Sequence, residues 1–586
     1  MPAAGALVVV VGWLLTRTSF FYADDFLYAS LFSEPWSAAQ LSRSYFGHLG
    51  PAFALLSTVF YHWFGLDWSA ATVVMLGCLL GLSVATRRLV DATLGRRTLL
   101  GILAGVSVAL TPAIVTQVLW WGAAITQVIP LAAGLSAMGC LVRWIRTGRP
   151  IHLVGLALMF GLALAFFEKA VVFSAYAFLW ALLAVDAGVP WRERVANAAG
   201  RWPAWAILAI LSAIDLAVYF AGPYRADSGP SAPVGALASF VVRGVTLGAI
   251  PSLFGVDLQG ASAPVVAGVA TLTLLAMAHA AVRLIRSAPS TRNVLGFAVL
   301  ATAVGQVPLA IGRAAITGGD GGRLLRYQME PVAIVLVSFA VALGQACLQC
   351  DGDLARAVSA GHGASPVRGV PRWLRLARLV APLLVLLWSG TMVAAVRANP
   401  GALSRTWATN VREQWPSDPP PMVDGPVDHG FVYDWMHPYN LRSRVLATMG
   451  LAATFTVNPQ GTWAIDSQGQ LGPAAFAAST SSEATACARP GAPAVVNIEH
   501  PAGESTLVEL QYAADTKASF GVSTGTPAQD VNLQGLAART EVPAGRGAVV
   551  FQWLGRNDLK QLVVHSLSGQ VCINQISVGD LVVRRG

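Results

Sequence analysis

Up to residue 398 the chain alternates long apolar runs with short polar connections. Runs approaching the ~20 residues that a helix needs to cross a bilayer lie at 3–17, 69–86, 98–116, 125–141, 151–167, 170–186, 205–221, 264–284, 294–311, 329–347 and 379–396. Eleven spanning helices are therefore predicted. Arginines mark every second connection: Arg87, Arg88, Arg96 and Arg97; then Arg143, Arg146 and Arg149; Arg192, Arg194 and Arg201; Arg283, Arg286 and Arg292; and Arg356, Arg368, Arg372, Arg375 and Arg378. The positive-inside bias then puts the N-terminus inside and the C-terminus outside. Arg17 departs from the pattern, on the predicted outer side. No basic residue precedes the first run, so it lacks the n-region of a cleaved signal peptide.

The outer connections differ from one another. Residues 18–68 form a long amphipathic loop broken by Pro35 and Pro51, and its apolar stretch 51–64 is too short to span comfortably. It is expected to lie along the membrane surface or re-enter it. A second loop, 222–263, opens on Gly, Pro and Ser and contains a helix-like stretch at 234–254; a third, 312–328, carries Arg313, Asp320, Arg323 and Arg326. From residue 399 the pattern changes. Pro400, Pro416, Pro419, Pro420 and Pro421 mark a linker, followed by an aromatic-rich segment to Tyr439. Beyond 454, short runs at 494–498, 506–512, 549–553, 561–565 and 571–578 are separated by Gly, Pro, Asn and Asp, which reads as antiparallel strands. The expected architecture is a polytopic α-helical membrane domain, 1–398, a connecting segment, 399–453, and an extracytoplasmic all-β sandwich or jelly roll, 454–586.

Composition sharpens this picture. The 586 residues are 55% hydrophobic and 12% charged, so the bilayer must be the solvent for much of the chain. The net charge of +9 could suggest nucleic acid, but the arginines sit in short loops between apolar runs, as membrane topology requires. Abundant Ala, Gly and Arg with few Lys suit a high-GC, actinobacterial source. Cys487 and Cys572 are the only cysteines of the polar C-terminal region, and a disulfide between them is expected if that region lies outside the cytoplasm. Cys347-Leu-Gln-Cys350 is a lone CxxC at a span end, without the second ligand pair of a metal site. There is no G-x-x-x-x-G-K-[ST] phosphate loop and no H-E-x-x-H zinc site, which argues against a cytosolic ATPase or nucleotide-sugar enzyme.

The candidate chemistry begins at Tyr22-Ala23-Asp24-Asp25-Phe26, just past the first apolar run. Adjacent carboxylates at a membrane surface are costly to keep. A partly desolvated one can act as a general base, while the duller reading makes one Asp a helix cap and leaves the other solvated. An acidic pair after the first span, in a long outer loop with surface helices, resembles the GT-C superfamily of membrane glycosyltransferases. That group includes protein O-mannosyltransferases, aminoarabinose transferases and arabinofuranosyltransferases, which use polyprenyl-phosphate sugars. The likeness covers the membrane region and implies that Asp24 or Asp25 is catalytic.

Two further segments carry the resemblance. Phe167-Glu168-Lys169-Ala170 lies at an outer span end, where several GT-C families have a Lys-Glu pair; the order here is reversed. Lys169 would hold a lipid phosphate, with Glu168 orienting it or touching the sugar, against the alternative of an interfacial ion pair. Arg323-Leu-Leu-Arg326-Tyr327-Gln-Met-Glu330-Pro331 resembles the Arg-Tyr…Pro segment before a late GT-C span, which contacts the donor phosphate. A departing phosphate needs positive charge, which Arg326 and then Arg323 would supply beside Tyr327. His48, in the acidic loop, could bind acceptor hydroxyls or phosphate or simply end a helix. Trp120 and Trp121 offer a sugar-stacking surface or an interfacial belt. In the β-domain Trp463, Trp553, Asp466 and Asn574 are candidates for a carbohydrate site, though a core accounts for the tryptophans equally.

The resemblance implies an inverting glycosyltransferase of the plasma membrane, moving a sugar from a polyprenyl-phosphate donor to an envelope glycan, glycolipid or protein. It leaves a divalent cation, Mg²⁺ or Mn²⁺, open as cofactor. A transporter or flippase of a lipid-linked intermediate is the main rival, and predicts charges inside the spans. A non-catalytic assembly protein working through its β-domain is the second.

Overall fold

The computed structural model describes the chain except at residues 1, 34–35, 46, 223–231, 259, 360–385, 428–430, 434–435, 437–438, 459–460, 501–505, 524–532, 535–539, 554–558 and 584–586. It divides into two compact units. The first comprises Met1–Thr18, Trp36–Thr58 and Trp68–Asn399; the second comprises Ser19–Pro35, Val59–Asp67 and Pro400–Gly586. Two pieces of the loop 18–68 thus cluster with the C-terminal third of the chain.

In the first unit, eight described helices are long and apolar enough to cross a membrane: Trp68–Leu94, Trp121–Thr147, Glu168–Val185, Trp202–Ala221, Val234–Leu253, Ala263–Ser287, Thr291–Ala315 and Met329–Gln349. A ninth is the pair Leu99–Ala109 and Pro112–Val118, bent by 51°. The bend has a local cause. Thr111 precedes a proline and is extended, φ −67° and ψ 144°, while Pro112 sits in the first turn of the restarted helix. Pro2–Thr16 and Ile151–Phe166 are apolar but shorter. Of the last predicted span, 379–385 lie outside the described residues and 386–397 are helical. Arg368, Arg372, Arg375 and Arg378 of the fifth basic group also lie outside them.

Val234–Leu253 differs from its expectation as an outer-loop helix, because its 20 residues have the length and apolarity of a span. A crossing there would carry Arg283, Arg286 and Arg292 to the outer side, against the positive-inside bias. A cap and an ion pair fix two of the arginine-bearing connections. Asp91 Oδ1 accepts from Thr98 N at 2.9 Å and from its hydroxyl at 3.0 Å, and Thr98 Oγ1 in turn accepts from Gly101 N at 2.9 Å, starting the helix Leu99–Ala109. Asp186 holds Arg201 through two bonds of 2.7 and 2.9 Å. The helices Trp202–Ala221 and Ala263–Ser287 are each only 17% buried over their apolar windows, which leaves Ile210, Ile214, Leu272 and Leu275 for lipid to cover.

The second unit contains an eight-stranded and a four-stranded sheet. The large sheet is built on antiparallel pairing of Leu471–Ala488, Val571–Val583, Thr506–Ala514 and Gly545–Trp553. The small one pairs Ala494–His500, Leu559–Ser568, Ala518–Ser523 and Thr540–Val542. Alternate residues of both sheets, among them Val508, Leu510, Tyr512, Phe520, Phe551, Trp553, Leu562 and Ile576, form one buried apolar cluster. Trp553 is fully buried there, so it is core and not a carbohydrate surface. The 18-residue strand Leu471–Ala488 gave no sequence signal, since its Ala, Ser and Thr show no apolar alternation. Cys487 and Cys572, directly opposite on neighbouring strands, form a disulfide with S–S 2.03 Å. Of the CxxC pair, Cys347 is half-buried and forms no disulfide, and the Cys350 side chain lies outside the described ones.

Candidate functional site

Glu168 and Lys169 sit in a short 3₁₀ turn, Glu168–Val171, between the helices Ile151–Phe166 and Val172–Trp180. Phe167 breaks the first helix with extended backbone, φ −164° and ψ 120°, and the turn then presents two consecutive side chains to different partners. Glu168 Oε1 lies 2.7 Å from His48 Nδ1, and Glu168 Oε2 accepts from Leu49 N at 3.1 Å. His48 Nε2 lies 3.4 Å from Arg313 Nη2. A guanidinium only donates, so Nε2 is the acceptor and Nδ1 carries the proton given to Glu168. The imidazole thereby bridges a cation and a carboxylate.

Lys169 turns the other way. Its Nζ lies 2.8 Å from Glu330 Oε2, with both side chains largely buried. The hydroxyl of Tyr176, fully buried, donates to Glu330 Oε1. Glu330 stands in the first turn of the helix Met329–Ser359, where the helix dipole also favours a carboxylate. A Cβ on Gly305 of the helix Thr291–Thr317 would collide with this Tyr176 hydroxyl and lie 2.9 Å from Glu330 Oε1, so only glycine lets that helix pass.

The segment before Met329 is held through its backbone. Gln117 Nε2 donates to Arg326 O at 3.1 Å, and Gln328 Nε2 donates to Gly322 O at 2.7 Å. Gln306 Nε2 completes the set at 3.1 Å from Gln328 Oε1. Asp320 receives both Arg243 and Arg323, the latter at 3.0 Å. Arg326 is different. It is exposed, its guanidinium lies 5.1 Å from the centre of the Tyr327 ring, and no carboxylate among the described residues pairs with it. Asp215, inside the apolar helix Trp202–Ala221, has a buried Oδ2 with no partner among the described residues, near enough to Glu168 for the two charges to act on each other.

Asp24 and Asp25 belong to the second unit. Both open the helix Asp24–Phe32, but they are not equivalent. Asp25 is fully buried, and its Oδ2 accepts from Tyr22 N at 3.2 Å; Asp24 is half-buried. Tyr61 donates its hydroxyl to Asp25 O at 3.3 Å, and burial together with the Asp25 charge pushes that phenol well above 10. Ala23, just before the pair, is the one described non-glycine residue with positive φ, at +52°. Phe26 packs on Phe431 with ring centres 4.6 Å apart, and Ala23 N donates to Phe431 O at 2.8 Å.

This geometry redistributes the roles expected from sequence. Lys169 and Glu168 do not act as a pair, because each charge is matched by a different residue, Glu330 or His48. Each Glu168 oxygen already has one protein partner, His48 Nδ1 or Leu49 N. Arg323 shares the Asp320 carboxylate with Arg243 and is half-buried, while Arg326 is the exposed guanidinium of its segment. Trp121 is fully buried and offers no stacking face, while Trp120 is half-buried. Among the described residues no group of three or more His, Cys, Asp or Glu could hold a metal ion.

No protein-family model matches the chain, and no curated protein does. A solved structure does resemble it. That structure is ArnT from Cupriavidus metallidurans bound to undecaprenyl phosphate, with a TM-score of 0.40 and 14% identity, over 77% of this chain and 85% of that one. The chain itself is a multi-pass membrane protein with a C-terminal β-rich unit.

Arg313, Glu330, Tyr176 and Asp215 were not singled out in the sequence. Glu330 lies inside the Arg-Tyr…Pro segment, so its position was in view but its role depends on Tyr176 and Lys169, 154 and 161 residues away. Asp215 had a readable signal, a lone carboxylate within an apolar run.

Proposed function

We propose that this protein is a membrane glycosyltransferase that takes a sugar from a polyprenyl-phosphate donor and delivers it outside the cytoplasm. The observation that carries the reading is the exposed Arg326, with no carboxylate partner among the described residues, four positions before Glu330 of the buried Lys169–Glu330 pair, at the ends of apolar helices. Such a setting suits an anion borne on a lipid. A guanidinium stabilises the phosphate as its bond to the sugar breaks, and low dielectric nearby strengthens that effect. ArnT, whose solved structure carries undecaprenyl phosphate, is compatible with this donor class. Asp24 is the proposed general base, as the half-buried member of a pair in which Asp25 is fully buried. The β-rich unit is proposed to bind or position an envelope glycan, glycolipid or protein acceptor.

The test is sugar transfer by the purified protein in nanodiscs, with radiolabelled polyprenyl-phosphate sugars and cell-envelope acceptors. Transfer or slow donor hydrolysis is expected, falling about 10²-fold or more in Asp24→Asn with thermal stability retained. Full activity in Asp24→Asn and in the Asp24→Asn/Asp25→Asn double variant would remove the base assignment. Asp215, a carboxylate inside a span, favours a second reading as a flippase of a lipid-linked intermediate. Donor binding without turnover, combined with loss of transbilayer movement in Asp215→Asn, would establish that reading instead.

A further inference from the structure

The donor and the product of the proposed reaction differ in charge, and Lys169 is not a bare cation. In the displacement, the bond between the anomeric carbon and the phosphate oxygen breaks, with its electron pair going to that oxygen. A bond to the acceptor oxygen forms, and the acceptor proton passes to the carboxylate base. A phosphodiester of charge −1 thus becomes a phosphomonoester, which is close to −2 above its second pKa of about 6. A free ammonium would hold that product more tightly than the donor and slow turnover.

We propose, resting on the donor class assigned above, that Glu330 is a positioning residue that keeps Lys169 from trapping the phosphomonoester product. Glu330 Oε2 holds the Lys169 ammonium at 2.8 Å while Tyr176 anchors Oε1, so the carboxylate cannot swing away when a phosphate arrives. The ammonium has three donors and gives only one to Glu330, so it still reaches a phosphate oxygen. The pair as a whole is neutral, however, and the second negative charge of the product gains little from it. Gly305 passes close to the Glu330 carboxylate and Tyr176 is fully buried against it, so the pair is tightly packed. Arg326, with no carboxylate partner among the described residues, supplies the net charge that draws either anion, and its exposure to solvent screens the added pull of the product's second charge.

The experiment measures binding of two probes to the full protein in nanodiscs at pH 7.5: a polyprenyl monophosphate and its methyl ester, which mimics the donor phosphodiester. Neither needs turnover. Wild type is expected to prefer the monophosphate by no more than about threefold. Glu330→Gln is expected to bind the monophosphate on the order of tenfold more tightly, with a much smaller change for the ester. Lys169→Gln/Glu330→Gln, which removes the pair as a unit, should return the preference to the wild-type ratio while weakening both. In turnover, Glu330→Gln should lower kcat and KM together, whereas a merely structural defect would lower kcat and leave the probe ratio unchanged. A wild-type preference of tenfold or more for the monophosphate overturns the inference without needing any variant to fold. An unchanged ratio in folded Glu330→Gln overturns it too, and leaves the donor assignment standing. If wild type binds neither probe, the donor assignment fails and takes this inference with it.

Discussion

Ala23 holds φ +52° and ψ −120°, a backbone conformation that an L-residue rarely adopts, immediately before Asp24. Such strain costs about 1–3 kcal/mol and persists only where surroundings over-determine it. Here the surroundings are explicit: the Ala23 amide is bonded to Phe431 O, and Asp25 bonds back to the Tyr22 amide. Ala23→Gly should therefore raise stability by about 1 kcal/mol. Relief of strain outweighs the ~0.4–1 kcal/mol of extra unfolded-state entropy. Thermal unfolding in detergent checks this; a lower midpoint would mean that the conformation costs nothing. The same lesson applies to Glu168 and Lys169. Adjacent in sequence, they suggest one paired function, but the extended Phe167 and the 3₁₀ turn direct them to His48 and to Glu330. No sequence pattern encodes that divergence, since both partners are over a hundred residues away.

Among the elements, the helix Val234–Arg243 and its π-helical continuation Gly244–Ala249 show how small residues place the segment 318–328. Gly244 and Gly248 are one turn apart and face it. A Cβ on Gly248 would lie 2.5 Å from Gln328 Nε2 and from Gly322 O, and one on Gly244 would lie 2.5 Å from Gln306 Oε1. This is the close approach that a small-xxx-small spacing allows between membrane helices. Gly248→Ala should destabilise the protein by about 1–3 kcal/mol through displacement of the Gln328 amide. Gly268→Ala, where a Cβ meets open space in a helix interior, should be neutral or stabilising by roughly 0.5–1 kcal/mol. Melting curves of the two variants make the comparison, and equal shifts would refute it. The pattern Gly-Val-Thr-Leu-Gly was readable in the sequence, but its partner was not, because a stripe of small residues says only that something approaches.

For the whole molecule, the alternation of basic connections and the disulfide make one topological proposal: inner arginine loops and an outer β-rich unit. Cys487 and Cys572 are bonded, which suits an oxidising compartment. The helix Val234–Leu253 is the point at which the proposal can fail. Single cysteines placed at Ser262 and Thr147, in a background lacking the native free thiols, separate the cases with a membrane-impermeant thiol probe. Ser262→Cys should label in intact cells and Thr147→Cys only after permeabilisation. Protection of Ser262→Cys in intact cells would mean that Val234–Leu253 crosses the bilayer and that the basic register shifts after it.

The sequence by itself determined most of the long apolar helices, because a bilayer demands long apolar runs, and it located five of the described strands through short apolar runs set between turn residues. It also determined which segments carry the charges: Asp24 and Asp25, Glu168 and Lys169, Arg323 and Arg326. Tertiary structure decided which of those charges are matched and which remain available. Ion pairing depends on distances of a few ångströms between residues far apart in the chain, and local patterns do not fix them. It therefore took the fold to show Lys169 matched by Glu330 and Glu168 by His48, with Arg326 left exposed without a described carboxylate partner.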